Sequence, residues 1–380
     1  KRYKDGLDLQ HNGMKFNIEM SFNKDTLKKK LQTICADYEI KAKNASLEAT
    51  GHGFKIIKEK EGVTVDYDKT VEQLYTYVTE KWNKKANIKL TATTTVSKPK
   101  YTTEDCEKVS NEPMGSYTTE FSVGSSYANR NLNIQNGAKL INGAVVYPGE
   151  QYSCNENLYP WTEDNGWHPA GTYVDGGVQD SLGGGICQVS STLYNALLRA
   201  EIKVVKRFPH SMAVGYVPLS ADAALAGDYK DLVFENDTDA PIYVQGIYNS
   251  GGSITFNIYG HDTRKAGHSV KYESKTVKTT PVKTQTKKDS SKPVGYSEVE
   301  SSGHVGYVAE LWKITYENGK QVSKELIHTS TYAMSPTIVV KGTKKASTTI
   351  KKDDSDKDDK KSSEEKTKKS TSSKKSKKSE

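Results

Sequence analysis

The sequence predicts an α+β fold distributed over several domains. Apolar residues recur at helical spacing in segments 24–38, 70–82 and 186–200. Alternating segments bounded by Gly and Asn-Gly turns lie between and after them, which is typical of strands. A chain of 380 residues is long enough for two or three cores. We therefore expect four regions, over residues 1–105, 114–262, 268–344 and 345–380.

The first region is predicted to be α+β. Helices are expected over 24–38 and 70–82, and a strand is expected over 87–96. A strand pair over 49–57 is predicted to turn at Gly51-His52-Gly53. Nothing in this region has the spacing of a catalytic motif.

The central region is predicted to mix helices and strands around Cys187. A helix is expected over 131–141, and Asn142-Gly143 after it predicts a tight turn. Short strands are expected at 144–147, 151–154, 231–234 and 242–245. The helix that contains Cys187 therefore lies in a mixed domain.

The third region is predicted to contain only strands. Glu317-Asn318-Gly319-Lys320 separates two strand-like segments, 307–316 and 321–329, and this is a strong hairpin signal. The glycines of the region resemble those of small glycine-marked β-modules in secreted, wall-associated and sugar-binding proteins; they are Gly303, Gly306, Gly319 and Gly342. We expect a binding or spacing role for it.

The basic surplus of the chain lies largely in its tail. Lys and Arg number 55 against 47 Asp and Glu, a net charge of +8. Residues 344–380 are almost entirely Lys, Ser, Thr, Asp and Glu, so the tail is predicted to be disordered. It is expected to solubilise the chain or to contact anionic polymers, such as phosphate-rich wall polymers or a membrane surface. Nucleic acid is not an expected partner, because no recognition motif accompanies the charge.

No segment approaches the ~20 apolar residues that span a bilayer. The chain begins at Lys1 rather than Met, so we expect that an export signal or membrane anchor once preceded it. Four cysteines are too few for a disulfide framework and lack the spacing of a zinc finger. Cys35 and Cys106 could form one pair.

The segment most informative about function surrounds Cys187. This cysteine follows Gly183-Gly184-Gly185 and begins an apolar-periodic helix. Free N–H groups and the helix dipole in a first turn favour negative charge, so the thiol should ionise easily. The pattern predicts a cysteine nucleophile, whereas the simpler alternative is a small buried side chain.

His210 is the predicted general base for this nucleophile. It follows the strand-like run 203–209 and comes directly after Pro209, which fixes the backbone before it. Asp222 is the first candidate to orient the imidazole, and Asp231 is the second. Either carboxylate could instead be a turn or strand-end cap.

Further residues are predicted to contact the substrate. Backbone N–H groups of Gly184 and Gly185, with the side chains of Gln188 and Ser190, are expected on the oxyanion side. Aromatic residues before the glycines could form a stacking wall or simply part of the core; they are Tyr159, Trp161, Trp167 and Tyr173. A zinc site from Cys154, His168, Cys187 and His210 is a less favoured alternative, so no metal or other cofactor is expected.

The central region resembles the VanW family from about Tyr117 to Gly260. The resemblance rests on elements that occur in order and at fitting spacing: Ile141-Asn142-Gly143, Pro148-Gly149-Glu150, Gly183 to Ala196, Pro209-His210-Ser211, Tyr216-Val217-Pro218, Asp222-Ala223 and Asp231 to Asn236. Two positions depart from the family pattern. Cys154 replaces a usual aromatic, and Ser220-Ala221 replaces a common Gly-Arg before Asp222. Tyr216 is included among the expected substrate-binding residues.

The first region resembles the small peptidoglycan-binding domains that precede enzymatic modules in wall proteins of Gram-positive bacteria. Gly62-Val63-Thr64-Val65-Asp66, which leads into the second helix, carries that resemblance. Together the resemblances imply an extracytoplasmic protein of a Gram-positive cell wall or membrane-anchored cell surface. Its implied partners are peptidoglycan stem peptides and glycan.

The VanW family is associated with bacterial cell walls and, through some members, with glycopeptide resistance. The resemblance further implies an L,D-transpeptidase that links stem peptides through a cysteine thioester. Two alternatives stay open at this point. The same residues could hydrolyse stem peptides, or the chain could be a non-catalytic wall-binding or resistance accessory protein.

Overall fold

The computed structural model describes residues 22–50, 53–82, 89–174 and 177–345. The chain divides into two compact units, one formed by residues 1–285 with 299–339 and the other by residues 286–298 with 340–380. The mixture of helices and strands over several regions confirms the predicted α+β class. The predicted disordered tail lies outside the described residues.

The N-terminal region contains two capped helices. Helix α1 (Lys24–Cys35) begins after Asn23, whose Oδ1 accepts the Thr26 N–H at 2.8 Å, and a 3₁₀ turn over Ala36–Tyr38 continues it. Helix α2 (Tyr67–Thr76) continues as a π-helical turn over Tyr77–Lys81. Both helices therefore follow the sequence prediction.

Four short strands complete this region. Strands β1 (Ser46–Thr50) and β2 (Gly53–Ile57) pair as predicted, and β3 (Gly62–Val65) pairs with β4 (Thr94–Ser97). The strand predicted over 87–96 begins later, at Thr94, and residues 87–88 lie outside the described part. The strand begins only after Thr93, because the backbone N–H and carbonyl of Thr93 bind residues at the start of α2 instead.

The central region is built on a four-stranded antiparallel sheet. Its strand order is β5 (Gly115–Glu120), β13 (Ser253–Tyr259), β12 (Ile242–Asn249) and β6 (Ala144–Val146). Alternate residues of β13 face the core, as expected for a strand with one buried side. Helix α4 (Ala128–Ile141) packs on the sheet, and the predicted helix over 131–141 is confirmed. The largest cluster of buried residues includes Ile134, Ile141, Val189, Leu193, Leu197 and Phe256.

Smaller elements surround this sheet. Helix α3 (Thr103–Glu107) precedes it, and helix α5 (Cys154–Leu158) and the hairpin of β8 (Pro169–Val174) and β9 (Gly177–Leu182) lie before the glycine run. A second sheet has the order β10 (Lys203–Lys206), β11 (Val233–Glu235) and β7 (Gln151–Ser153). The strand-like run predicted over 203–209 is a strand only to Lys206, and His210 lies in irregular chain four residues beyond the end of β10.

Helix α6 (Ile186–Arg199) passes through the middle of the central domain. Every residue except Cys187 and Arg199 is buried, including the polar side chains of Gln188, Ser190 and Asn195. The periodicity predicted one apolar face, and that face is buried as expected. The polar side is buried as well, because segment 220–225 covers it and hydrogen-bonds to it. The buried polar side chains of the helix therefore bind a second layer of chain.

The C-terminal module is all β, as predicted. Strands β14 (His268–Thr280), β17 (Gly306–Glu317) and β18 (Lys320–Tyr332) form one antiparallel sheet. The hairpin between β17 and β18 turns at Asn318 and Gly319, which have φ of 50° and 77°. This is the turn that the Asn-Gly signal predicts.

The remaining strands of the module form a separate sheet. Its order is β15 (Thr284–Pro293), β19 (Thr337–Lys344) and β16 (Ser297–Ser301). Within the smaller unit, the Val294 N–H donates to the Lys344 carbonyl and the Gly342 N–H to the Tyr296 carbonyl. Close backbone packing at Gly342 leaves no space for a side chain, since a Cβ there would lie 2.0 Å from the Pro293 carbonyl oxygen.

Two further sequence expectations can be compared with the described residues. No helix among them is long and apolar enough to cross a membrane. Cys35 and Cys106 are both free thiols, so the pairing considered from sequence does not occur in this structure. Burial raises the pKa of the Cys106 thiol to about 11, which keeps it protonated.

Candidate active site

Cys187 is the second residue of helix α6. Gly185 precedes the helix with a φ of 105°, a left-handed conformation that favours glycine. The sequence prediction of a cysteine in a first helical turn is therefore confirmed. Cys187 is half-buried, while the residues around it on α6 are buried.

The glycine run serves mainly to bring the helix start close to strand β8. A Cβ on Gly184 would lie 2.4 Å from the Ala170 carbonyl oxygen, so no side chain fits there. The N–H of Gly183 donates to His168 and that of Gly184 to Ser181, contrary to the oxyanion role predicted for Gly184. Among the hydrogen bonds of the described residues, none engages the N–H groups of Gly185 and Cys187. Unpaired N–H groups at a helix start are the kind of donor that an oxyanion site requires.

His210 and Asp222 form a tight pair. The imidazole Nδ1 lies 2.6 Å from Asp222 Oδ2, and the His210 backbone N–H donates to the same oxygen at 2.8 Å. Only 11% of the His210 side chain and 1% of the Asp222 side chain are exposed. Asp231, the second candidate, instead binds Ser153 and caps Asn155. The structure thus brings together the residue pair that the sequence favoured.

Cys187 and His210 are close enough for each side chain to shift the pKa of the other. Burial alone would raise the pKa of the thiol, but the hydrogen bond and charge of His210 lower it below its ordinary value. Burial alone would lower the pKa of His210, but contacts with Asp222 and Cys187 raise it to about 9. The lowered pKa of the thiol and the raised pKa of the imidazole together favour a thiolate beside an imidazolium.

Leu225 supplies a further contact to the sulfur. Its backbone N–H donates to Cys187 Sγ at 3.4 Å, and this bond also lowers the pKa of the thiol. Leu225 lies three residues after Asp222, so one segment provides both the carboxylate and this N–H. Sequence reasoning missed Leu225 because a backbone donor leaves no trace in residue type.

Asp222 is held by more than the imidazole. Its Oδ1 accepts from Arg207 Nη2 at 2.7 Å and from the Tyr332 hydroxyl, which belongs to the C-terminal module. Burial alone would raise the pKa of Asp222, but its hydrogen bond with His210 and the charge of Arg207 lower it to about 2. The carboxylate is therefore ionised beside His210. Neither Arg207 nor Tyr332 was predicted from sequence.

Tyr216 lies on the other side of the imidazole. Its hydroxyl is 3.4 Å from His210 Nε2, the nitrogen that does not face Asp222. Burial raises the pKa of this phenol well above its ordinary value. Tyr216 therefore lies beside His210, and its expected contact with substrate stays a prediction.

Gln188 and Ser190 do not line an oxyanion site. The Gln188 amide donates to Thr119 and to the Glu120 carbonyl and accepts from Arg130 at 2.6 Å. Ser190 donates to the Ala223 carbonyl at 2.7 Å. Both side chains point into protein rather than toward substrate, so Ser190 anchors the Asp222 segment and Gln188 anchors the helix to β5.

The proposed aromatic wall is only partly at the surface. Trp167 is fully buried and belongs to the core, which corrects its predicted substrate contact. Trp161 packs within 3.5 Å of the Cβ position at Gly183, and its ring meets that of the exposed Tyr159 edge-on. The side chain of Tyr173 lies outside the described residues.

The zinc alternative has no geometric support. The described ranges contain no group of three or more His, Cys, Asp or Glu side chains able to hold a metal. Cys154 is fully buried, and burial raises the pKa of its thiol well above the ordinary value. A protonated buried thiol is a core residue rather than a ligand.

Comparison with protein-family models identifies three domains along the chain. Residues 129–259 match the family described as "VanW like protein", and residues 271–344 match the G5 domain. Residues 1–87 match a model described as "Putative peptidoglycan binding domain". The glycine-marked β-module of the sequence prediction is thus a G5 domain.

Two curated relatives align with parts of the chain. The uncharacterized protein YoaR of Bacillus subtilis is 37% identical over 164 residues, which cover 43% of this chain and 53% of that protein. The vancomycin B-type resistance protein VanW of Enterococcus faecalis is 28% identical over 116 residues, 29% of this chain and 42% of that protein. The chain therefore spans about half the length of these relatives.

A solved structure also matches the C-terminal module. It is described as an IgA1 protease G5 domain, is 30% identical, and covers 22% of this chain and 96% of that structure with a TM-score of 0.17. The three domains are assigned from the family models that match the sequence. Residues 129–259 thus form a VanW domain, preceded by a peptidoglycan-binding-type domain and followed by a G5 domain, in the order that the sequence predicts.

Proposed function

We propose that this chain is a cysteine-dependent acyltransferase, an L,D-transpeptidase that cross-links peptidoglycan stem peptides. The observation that carries the proposal is the hydrogen-bonded pair His210–Asp222 beside Cys187, which is the second residue of a buried helix. A nucleophile, a base in contact with it and a carboxylate that orients the base are the parts that acyl transfer requires.

The domain composition supports a cell-wall setting. A domain of the peptidoglycan-binding type precedes the VanW domain, and one relative is a vancomycin resistance protein. We infer an extracytoplasmic location and peptidoglycan as the partner. Attachment to a Gram-positive membrane and contact of the basic tail with anionic wall polymers are part of the same proposal.

In the acylation step, the Cys187 thiolate attacks the carbonyl carbon that joins the third stem residue to a terminal D-alanine. The developing oxyanion accepts hydrogen bonds from the N–H groups of Gly185 and Cys187. As the C–N bond breaks, the His210 imidazolium donates its Nε2 proton to the leaving amine. D-alanine leaves, and the acyl group remains on sulfur as a thioester.

In the second step, the side-chain amine of a neighbouring stem attacks the thioester. Neutral His210 accepts a proton from that amine, and the C–S bond breaks to restore the thiolate–imidazolium pair. Asp222 holds the imidazole in the tautomer and orientation that both transfers need. This chemistry requires neither a metal nor a nucleotide.

The central test is incubation of the purified chain with disaccharide-tetrapeptides, followed by intact-mass measurement. We expect a protein adduct that lacks D-alanine and a dimeric muropeptide product. Both should be absent in Cys187→Ala, because this variant lacks the sulfur that forms the thioester in the proposed mechanism. Cys35→Ser is the matched control, since Cys35 is another half-buried thiol in the N-terminal region.

Other outcomes would contradict the proposal in distinct ways. Free tripeptide stems without dimers would indicate hydrolysis, that is, a wall peptidase with the same nucleophile. A folded protein that gives neither adduct nor product would indicate a non-catalytic wall-binding or resistance accessory protein.

A further inference from the structure

One face of a single G5 strand reaches the Asp222 segment. Residues His328, Ser330 and Tyr332 alternate along β18, so their side chains lie on the same side of the sheet. Ser330 and Tyr332 are buried, whereas the residues between these three positions are exposed. The face is therefore built for contact with the VanW domain rather than for solvent.

Tyr332 binds one oxygen of the Asp222 carboxylate, and His210 binds the other. Its hydroxyl accepts from the Ser220 N–H at 2.7 Å and donates to Asp222 Oδ1. Arg207 donates to the same oxygen at 2.7 Å. Oδ2 is left entirely to His210, which binds it through both the ring and the backbone N–H.

Ser220 shows how closely the strand controls this segment. It has a φ of 68°, a left-handed conformation that strains a non-glycine residue. Its hydroxyl lies 2.8 Å from Ser330 Oγ and 3.1 Å from His328 Nδ1, and its N–H is held by Tyr332. The G5 strand therefore stabilises a strained residue two positions before Asp222.

The charges around the carboxylate are consistent with a fixed geometry. Arg207, only 7% exposed, also donates to Ser330 Oγ at 2.8 Å. Burial lowers the pKa of His328 to about 4, so that this imidazole is neutral between Ser220 and Tyr194. Among the described residues, the remaining hydrogen-bond donor to the Asp222 carboxylate, besides Arg207 and His210, is the uncharged Tyr332 hydroxyl.

We propose that Tyr332 is a positioning residue for the Cys187–His210 pair, so that the G5 domain is a structural part of the reactive centre. This rests on the proposed function only in regarding that pair as catalytic. Without the Tyr332 hydroxyl, Asp222 Oδ1 keeps only Arg207 and the Ser220 N–H loses its acceptor. The carboxylate then orients His210 less well, and the thiolate loses part of its stabilisation.

The test uses the full chain with Tyr332→Phe and follows the ionisation of Cys187 without any wall substrate. Iodoacetamide alkylation is measured from pH 5 to 10 on the Cys187 peptide by mass spectrometry, so the other cysteines do not contribute. We expect the midpoint to rise by about one pH unit, which makes alkylation below it about tenfold slower. The downfield proton resonance of His210 Nδ1 should weaken in the same variant.

Tyr272→Phe is the matched control. Its hydroxyl also crosses from the G5 domain to helix α6, but it donates to the Leu198 carbonyl at 2.8 Å, far along the helix from Cys187. We expect this variant to keep the wild-type midpoint and proton resonance. An equal shift in both variants, or none in Tyr332→Phe, would overturn the proposal.

If Tyr332→Phe does not fold, Ser330→Ala provides the second variant. It removes a partner of Arg207 and Ser220 but retains Tyr332. A smaller upward shift of the midpoint supports the proposal, and an unchanged midpoint contradicts it. Because alkylation needs no stem peptide, these results stand whether or not cross-linking is observed.

Discussion

At the scale of single residues, the reactive centre depends on two opposite pKa shifts. The pKa of the Cys187 thiol is lowered and the pKa of the His210 imidazole is raised to about 9, although burial opposes both changes. Each charged form stabilises the other, and Asp222 stabilises the imidazolium from behind. The apparent values therefore belong to the pair.

This coupling predicts a bell-shaped pH dependence of transfer. The rate should rise as Cys187 ionises and fall near pH 9 as the imidazolium that protonates the leaving amine is lost. Asp222→Asn removes the charge that helps to raise the pKa of His210, so the alkaline limb should move to lower pH. The maximal rate should fall on the order of 10²-fold or more.

Initial rates of dimer formation between pH 5 and 10 measure both effects. Asp231→Asn is the control, because Asp231 caps Asn155 and does not contact His210. An Asp222→Asn variant whose alkaline limb coincides with that of the wild type would show that the carboxylate does not act through His210.

At the scale of elements, helix α6 is fixed from two directions. The glycine turn brings its start against β8, and Ser190, Ser191 and Asn195 bind segment 220–225 along its length. Helix α6, which carries Cys187, and the segment that carries Asp222 are therefore parts of one hydrogen-bonded assembly. Displacement of the turn should displace both.

Gly184→Ala tests the glycine turn. The added Cβ would meet the backbone of Ala170, which cannot move aside as a flexible side chain could. We expect a loss of roughly 1–3 kcal/mol in the free energy of unfolding and a slower Cys187 alkylation. Gly215→Ala is the control, since open space surrounds that position and its φ is not left-handed. Denaturant unfolding that gave equal midpoints for the two variants would contradict this account.

Local sequence patterns predicted the elements that depend on local physics. The start of α6, the helix over 128–141 and the Asn318-Gly319 hairpin follow from periodicity and turn chemistry. Residue types that suit acyl transfer led to the prediction of Cys187, His210 and Asp222, which the structure brings together. The pattern could not distinguish a polar side chain that faces substrate from one that binds another segment, and this is why Gln188 and Ser190 were misinterpreted.

The missed residues have a common physical cause. Tyr332 lies 110 positions from Asp222, and Leu225 acts through its backbone. A contact made by tertiary packing between distant segments has no period in the sequence. Arg207 was missed for the same reason, because nothing in the sequence distinguishes it from the other basic residues before it contacts Asp222 in the folded chain.

At the scale of the whole molecule, the VanW and G5 domains share one charged junction. Glu201, at the end of α6, binds Lys313 Nζ at 2.6 Å, His268 Nε2 at 2.7 Å and Arg264 at 3.7 Å. His268 also contacts Glu317 of β17 at 2.8 Å. The junction thus connects the helix that bears Cys187 to two G5 strands.

The junction should make stability depend on pH. Hydrogen bonds with Glu317 and Glu201 raise the pKa of His268 above its ordinary 6.5. Its contribution to stability is therefore complete below pH 6.5 and is lost as pH rises through the folded-state value. His268→Gln should lower the melting temperature at pH 6 by a few degrees, for a loss on the order of 1 kcal/mol, and by less at pH 9.

Thermal unfolding at the two pH values measures this difference. His261→Gln is the control, because its pair with Asp239 is much more exposed, at 36% and 58% of the two side chains. Equal losses for His268→Gln at pH 6 and pH 9 would mean that the charge of His268 does not stabilise the junction.

The bond between Tyr332 and Asp222 also has a consequence in time. The two residues are separated by 110 positions, so the hydroxyl is synthesised well after the carboxylate. From the role proposed for Tyr332, we expect Cys187 to be an ordinary thiol during that interval. Its thiolate would then be stabilised only after strand β18, which carries Tyr332, has docked.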